Sequence, residues 1–137
     1  EARFLVHQGA EELDMVMNVG AFKDREIELI HEEIGRVVDA SDGRCVKVII
    51  ETCLLTKKEK ILASNIVKNS DAEFIKTCTG FSNGGATIDD VKLIRETVGL
   101  DMGVKASGGI KTLDDLQFMV SAGADRIGTS NSIEIVS

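Results

Sequence analysis

Apolar residues gather along the chain in five short runs, at residues 13–19, 46–51, 74–77, 102–106 and 126–129, each of strand length and bounded by polar or glycine-bearing segments. Between them the period changes to that of a helix. From Asp24 to Ala40, the residues Ile27, Ile30, Ile34, Val37 and Val38 share one stripe with charges opposite, the pattern of a helix laid on a sheet, and Asp42-Gly43 ends it. Three further helix starts are written alike: Thr56-Lys57-Lys58-Glu59, Thr87-Ile88-Asp89-Asp90 and Thr112-Leu113-Asp114-Asp115. Each offers a threonine hydroxyl to a free backbone N–H and an acid three residues on to meet the helix dipole. Strands and helices alternate at roughly 24–33 residues per unit, which implies parallel strands joined by right-handed crossovers. This periodicity allows either a doubly wound sheet or a barrel. With no proline, linker or low-complexity tract, residues 1–137 read as a single domain.

Strands of a parallel sheet covered on both faces should be almost wholly apolar. Charges interrupt or end the first four of these runs: Asp14 in the first, Lys47 and Glu51 in the second, Lys76 in the third and Lys105 in the fourth. Alternation along a strand puts Lys47, Ile49 and Glu51 on one face and Val46, Val48 and Ile50 on the other. The apolar trio suits the helix side, so the charged trio is expected in a shared interior, where only pairing or a polar cavity makes a charge tolerable. Lys76 and Lys105 lie one repeat apart near the C-terminal ends of consecutive strands, where catalytic groups collect in such folds. A strand spacing of about 4.8 Å brings their ammonium groups within about 5–6 Å, a repulsion of roughly 3 kcal/mol at an effective dielectric of about 20, enough to lower one pKa by about two units. A neutral amine is the nucleophile that imine chemistry requires, and Asp14 adds a carboxylate for proton transfer.

Composition narrows the partners. A net charge of −7, from 16 basic residues scattered among 23 acidic ones, argues against a nucleic-acid surface. No apolar run approaches the length of a membrane span. Cys45, Cys53 and Cys78 form no C-x-x-C pair, which points to a reducing, cytoplasmic setting and away from a zinc site. An anionic substrate must then be held by local features. Two glycine-bearing turns qualify, Ala106-Ser107-Gly108-Gly109-Ile110 and Gly128-Thr129-Ser130-Asn131-Ser132, because backbone N–H groups there can surround an anion after the last two strands, where barrel enzymes bind phosphate. Asn83-Gly84-Gly85-Ala86 reads only as the loop before the helix capped by Thr87.

The segments at residues 12–18 (ELDMVMN), 46–52 (VKVIIET), 74–81 (FIKTCTGF), 104–110 (VKASGGI) and 126–130 (RIGTS) closely resemble the deoxyribose-phosphate aldolase family, the class I, Schiff-base aldolases, in order and spacing across essentially the whole chain. The resemblance implies an α/β fold that is the C-terminal part of a (β/α)8 TIM barrel, about five βα units. It implies a lyase of deoxyribonucleotide catabolism that cleaves 2-deoxy-D-ribose 5-phosphate reversibly to D-glyceraldehyde 3-phosphate and acetaldehyde, without a metal or cofactor. By motif, Lys76 would form the imine, Lys105 would depress its pKa and Asp14 would relay protons. Gly108, Gly109, Gly128 and Ser130 would hold the phosphate of the sugar substrate, with Lys47, Glu51 and Thr79 in support; Lys47 and Glu51 could also pair with each other.

Departures are equally specific. Cys78 stands where the family has serine, and Asn131-Ser132 replaces its Ser-Gly. A whole barrel needs about 250 residues. The chain opens Glu1-Ala2-Arg3, and the expectation is a piece of a longer sequence, or a chain that associates as a homo-oligomer or with a complementing segment. The alternative is a non-catalytic barrel fragment that binds a phosphorylated ligand or needs a partner chain to complete the site. Another phosphate-binding barrel enzyme, such as an isomerase, would explain the glycine turns but not the lysine pair.

Overall fold

The computed structural model describes residues 12–79 and 85–128. The elements follow the alternation read from the sequence. Strand β1 (Glu12–Val16) is followed by helices α1 (Val19–Lys23) and α2 (Ile27–Ala40), and β2 (Cys45–Ile49) by α3 (Lys57–Lys68). Then come β3 (Phe74–Lys76) with α4 (Ile88–Val98), β4 (Gly103–Ser107) with α5 (Leu113–Ala122), and β5 (Arg126–Gly128). All four pairings are parallel and the strands lie side by side in chain order. A doubly wound sheet reverses its strand order at a switch point, whereas a barrel does not. The order here, with α2, α3, α4 and α5 packed in succession, makes the sheet an arc of a (β/α) barrel.

Alternation along the strands sorts the side chains between two faces. Val46, Val48, Ile50, Ile75, Val104 and Ala106 are fully buried towards the helices, among Ile30, Ile34, Ile66, Val67, Val91, Ile94 and Met119. Each large aliphatic side chain so buried contributes about 1.5–3 kcal/mol. The opposite, concave face carries the polar set. Glu12 at the start of β1 and Arg126 at the start of β5 belong to the two edge strands, yet Arg126 Nη1 donates to Glu12 Oε2 at 2.6 Å. Their meeting requires the sheet to curl until its edges face each other across the concavity.

The threonine caps form as the sequence indicates. Thr56 and Thr112 head capping boxes with Glu59 and Asp115, and Thr87 Oγ1 accepts from Asp90 N at 3.0 Å. One start went unread: Asn18 Oδ1 accepts from Ala21 N at 3.0 Å and opens α1, which cuts the first strand at Val16 and not at residue 19. Arg25, in a left-handed conformation with φ 62°, then separates α1 from α2, which begins at Ile27 and not at Asp24. At the N-terminal rim of the sheet, Arg95 of α4 donates to the carbonyls of Gly99, Met102 and Gly123 and to the Asp125 carboxylate. It ties the end of one βα unit to the beginnings of the next two.

Candidate active site

The register across the sheet decides which charges meet. Asp14 lies level with Lys47, and Lys76 with Lys105, which is in turn level with Arg126. Strand alternation turns Glu12, Asp14, Lys47, Lys76, Lys105 and Arg126 to the concave face. Asp14 is shared there between two lysines: Lys47 Nζ donates to its Oδ1 at 3.2 Å and Lys76 Nζ to its Oδ2 at 3.0 Å. Lys47, only 4% exposed, also donates to Glu12 Oε1 at 3.0 Å. A continuous ionic chain results, Arg126–Glu12–Lys47–Asp14–Lys76, running from the N-terminal rim of the strands towards their C-terminal ends.

Each charge state has a cause in this chain. Burial pushes the Asp14 carboxyl up, but hydrogen bonds from Lys76 and Lys47 outweigh it and hold the pKa below the ordinary aspartate value. Glu12 is pulled down to about 2, first by Arg126 and then by Lys47. Burial favours the neutral form of Lys47, yet Glu12 and Asp14 reverse this and raise its pKa, so it is a fixed cation. Lys105 is the amine held below the ordinary lysine value, by burial first and then by the charges of Lys47 and Lys76 beside it. The pair interaction expected from the sequence is therefore present, and its effect falls on Lys105, while Lys76 enters an ion pair with Asp14.

At the lower end of the concavity an aromatic ring packs between a cation and a glycine. The Arg126 guanidinium lies 4.5 Å above the centre of the Phe74 ring, and the ring covers Gly103, where a Cβ would fall 2.6 Å from Phe74 Cζ. At the upper end, Gly128 is equally constrained: a Cβ there would stand 2.6 Å from Ser107 Oγ and 3.2 Å from Lys105 Cε. Ser107 is buried and its hydroxyl has no hydrogen-bond partner among the described residues. Its backbone is held by Thr77, whose Oγ1 accepts from Ser107 N at 3.0 Å and donates to Ser107 O at 3.1 Å. This buried hydroxyl lies against Gly128, on the same side of β4 as Lys105.

Gly108 and Gly109 both take positive φ, 85° and 72°, so the turn after β4 needs glycine at each. Gly85, which by sequence belongs only to a loop, is part of this turn, because a Cβ on it would lie 2.6 Å from the Gly108 carbonyl carbon and Ala86 N donates to Ser107 O and Gly108 O. Ser130, with Thr129, Asn131 and Ser132, lies outside the described residues. Glu51 and Lys47 do not pair with each other. Lys47 is taken by Glu12 and Asp14, and Glu51 Oε1 accepts from Thr79 N at 3.0 Å. Glu51 does so from a left-handed backbone, φ 56°, a strain of about 1–2 kcal/mol for a residue with a Cβ. The sequence reading missed Glu12, Arg126 and Ser107. The first two were visible only as charges at strand margins, and the third only as part of a turn motif.

Among the described residues, no group of three His, Cys, Asp or Glu is placed to hold a metal ion, and no helix is long and apolar enough to cross a membrane. No family model matches the chain. Individual proteins do. The deoxyribose-phosphate aldolase of Streptococcus gordonii is 52% identical over 136 residues, which is 99% of this chain and 62% of that protein. A solved aldolase, QR15, superposes with a TM-score of 0.94 at 42% identity over 98% of this chain and 61% of its own. The deoxyribose phosphate aldolase of Aeropyrum pernix, described as a unique tetramer, superposes with a TM-score of 0.88 at 33% identity over 98% of this chain and 57% of its own. The chain thus spans about three fifths of the length of the relatives it matches.

Proposed function

We propose, from its likeness to deoxyribose-phosphate aldolases in sequence and in structure, that the chain carries the lysine centre of an aldolase that reversibly cleaves 2-deoxy-D-ribose 5-phosphate to D-glyceraldehyde 3-phosphate and acetaldehyde. The observation that carries this reading is one carboxylate, Asp14, bonded at 3.0 Å to Lys76 beside a second lysine, Lys105, held below its ordinary pKa.

In the cleavage direction, the Lys76 amine attacks the aldehyde carbon of the open-chain sugar and, with loss of water, becomes an iminium. The proton of the sugar's 3-hydroxyl then leaves, the bond between carbons 2 and 3 breaks, and glyceraldehyde 3-phosphate departs. The electron pair stays behind as an enamine on Lys76. Protonation of its terminal carbon and hydrolysis by water release acetaldehyde and restore the amine. Lys76 must shed a proton before attack, and two acceptors stand beside it: Asp14, and Lys105 in its neutral fraction. Lys47 stays cationic throughout and keeps Asp14 ionised and oriented. Gly108, Gly109 and Gly128 offer the place for the phosphate, and Ser130 is assigned to it by motif alone.

The open arc favours a second element of the reading. Among the described residues, the outer edges of β1 and β5 pair with no further strand, and exposed strand edges seek partners. The chain works as a homo-oligomer or with a complementing segment that closes the concavity, and without one it is a fragment that binds phosphorylated ligand without turnover. Release of glyceraldehyde 3-phosphate from 2-deoxyribose 5-phosphate, followed against chain concentration, separates these. Activity per chain that rises with concentration supports assembly, and no release at any concentration from folded chain supports the fragment.

A further inference from the structure

Glu51 occupies a conformation that its residue type disfavours. Its backbone is left-handed, φ 56° and ψ 67°, at the turn from β2 into the 3-10 segment Thr52–Leu54, where glycine or asparagine would sit with less strain. It also carries a carboxylate on a residue only 5% exposed, and among the described residues no lysine or arginine forms a salt bridge with it. A buried acid in a strained position persists where its side chain is needed.

What that side chain holds is Thr79, three residues beyond Lys76, through the 3.0 Å bond from Thr79 N to Oε1. The segment leaving β3 is otherwise held by the Thr77 hydroxyl on the Ser107 backbone, by the contact of Thr52 Oγ1 with Cys78 Sγ, and by backbone bonds. Ile50 N donates to Lys76 O at 3.1 Å, Thr52 N to Thr77 O at 3.0 Å and, on the other flank, Thr77 N to Lys105 O at 3.1 Å. Any residue at 50 or 52 can make those links. The link to Thr79 N requires an acceptor at the end of a side chain, and residue 51 supplies it.

We propose that Glu51 is a positioning residue whose carboxylate fixes the turn leaving β3, and through it both the direction in which Lys76 projects and the place of Thr79 at the mouth of the concavity. The inference rests on the reading of Lys76 as the imine lysine, and it accounts for an acid in a glycine-like position.

The test compares the full chain with Glu51→Gln, Glu51→Ala and Glu51→Gly. Three quantities are followed: amide hydrogen exchange at Thr79, the 13Cε resonance of Lys76 in the ligand-free protein, and the rate at which borohydride traps acetaldehyde on Lys76. Exchange at Thr79 is expected to quicken by about tenfold or more in the Ala and Gly variants and less in the isosteric Gln variant. The Lys76 resonance is expected to move and trapping to slow in the same order, while the thermal midpoint of Glu51→Gly, relieved of strain, does not fall below that of the parent. Unchanged exchange and an unchanged resonance would overturn the proposal. So would trapping that falls only in step with the thermal midpoint, since that is the mark of a merely structural residue. A parent chain that traps nothing would sink the imine reading alone, and the exchange and resonance measurements would still decide the role of Glu51.

Discussion

Replacing Lys105 with methionine should stabilise the protein while removing a residue the proposed chemistry uses. Lys105 stands level with Lys76 on the adjacent strand and feels Lys47 as well, and among the described residues it has no acid bonded to it. At about 5 Å and an effective dielectric of about 20, one such repulsion is worth roughly 3 kcal/mol. Attraction to Asp14 and Glu12 and partial exposure to water offset most of that, leaving a net cost of about 1 kcal/mol. Methionine keeps the unbranched shape without the charge. With a urea slope of about 2 kcal/mol per molar, the midpoint should rise by about 0.5 M at pH 7.

The pH dependence gives the sharper check. The folded-state pKa of Lys105 lies below its unfolded value of about 10.4. Below the folded pKa both states hold the proton and the cost is present in full. Between the two values the folded state has already lost its proton, so the stability of the parent rises with pH; above both, the cost has gone. The advantage of Lys105→Met should therefore be greatest near neutrality and shrink as pH approaches about 10.4. A variant less stable than the parent at pH 7, or one whose gain is flat with pH, would show that Lys105 is not under the strain described.

Asp14→Asn should act in the opposite sense. It leaves Lys76 without its bonded acid and should cost about 2 kcal/mol at pH 7, less than the 3–5 of a fully buried pair. Because the folded-state pKa of Asp14 is lowered, that difference is present above pH about 4 and disappears as pH falls through the folded value, which acid titration followed by circular dichroism will show. Gly103→Ala would drive a methyl group into the Phe74 ring and should lower the urea-derived stability by about 1–3 kcal/mol, much of it recovered by adding Phe74→Leu. Gly128→Ala presses on Ser107 Oγ and Lys105 Cε, so acetaldehyde trapping should slow by about tenfold or more and recover in part in the Gly128→Ala, Ser107→Gly double variant; equal trapping in all three would refute the close packing drawn there.

The sequence made some of this legible because periodicity and chemistry agreed locally. Lys47 alternates with three residues that the helices need, so its turn to the concave face followed from strand geometry, and the structure buries Val46, Val48 and Ile50 opposite it. The threonine caps were equally readable, because each carries its own acid three residues on. Strand order was not, since parallel units of equal length suit two topologies, and the choice rests on long-range pairings such as Lys105 with Arg126. Glu12 and Arg126 meet across 114 positions of chain, a contact created by the curl of the sheet and by nothing near either residue. Asn18 was hidden inside an apolar run, where its capping bond to Ala21 overrode the strand pattern. Gly85 looked like a loop glycine because its constraint comes from another turn, at Gly108.

An imine on Lys76 is the step on which the proposed chemistry depends. The direct measurement is borohydride reduction of the chain in the presence of acetaldehyde, with the modified lysine located by peptide mass spectrometry and Lys76→Ala as the control. A reduced adduct on the Lys76 peptide, formed ahead of surface lysines and missing from the control, is the expected result. An adduct on Lys105 in its place would transfer the nucleophile's role to the amine with the lowered pKa, and no adduct in a folded, assembled sample would contradict the aldolase reading itself.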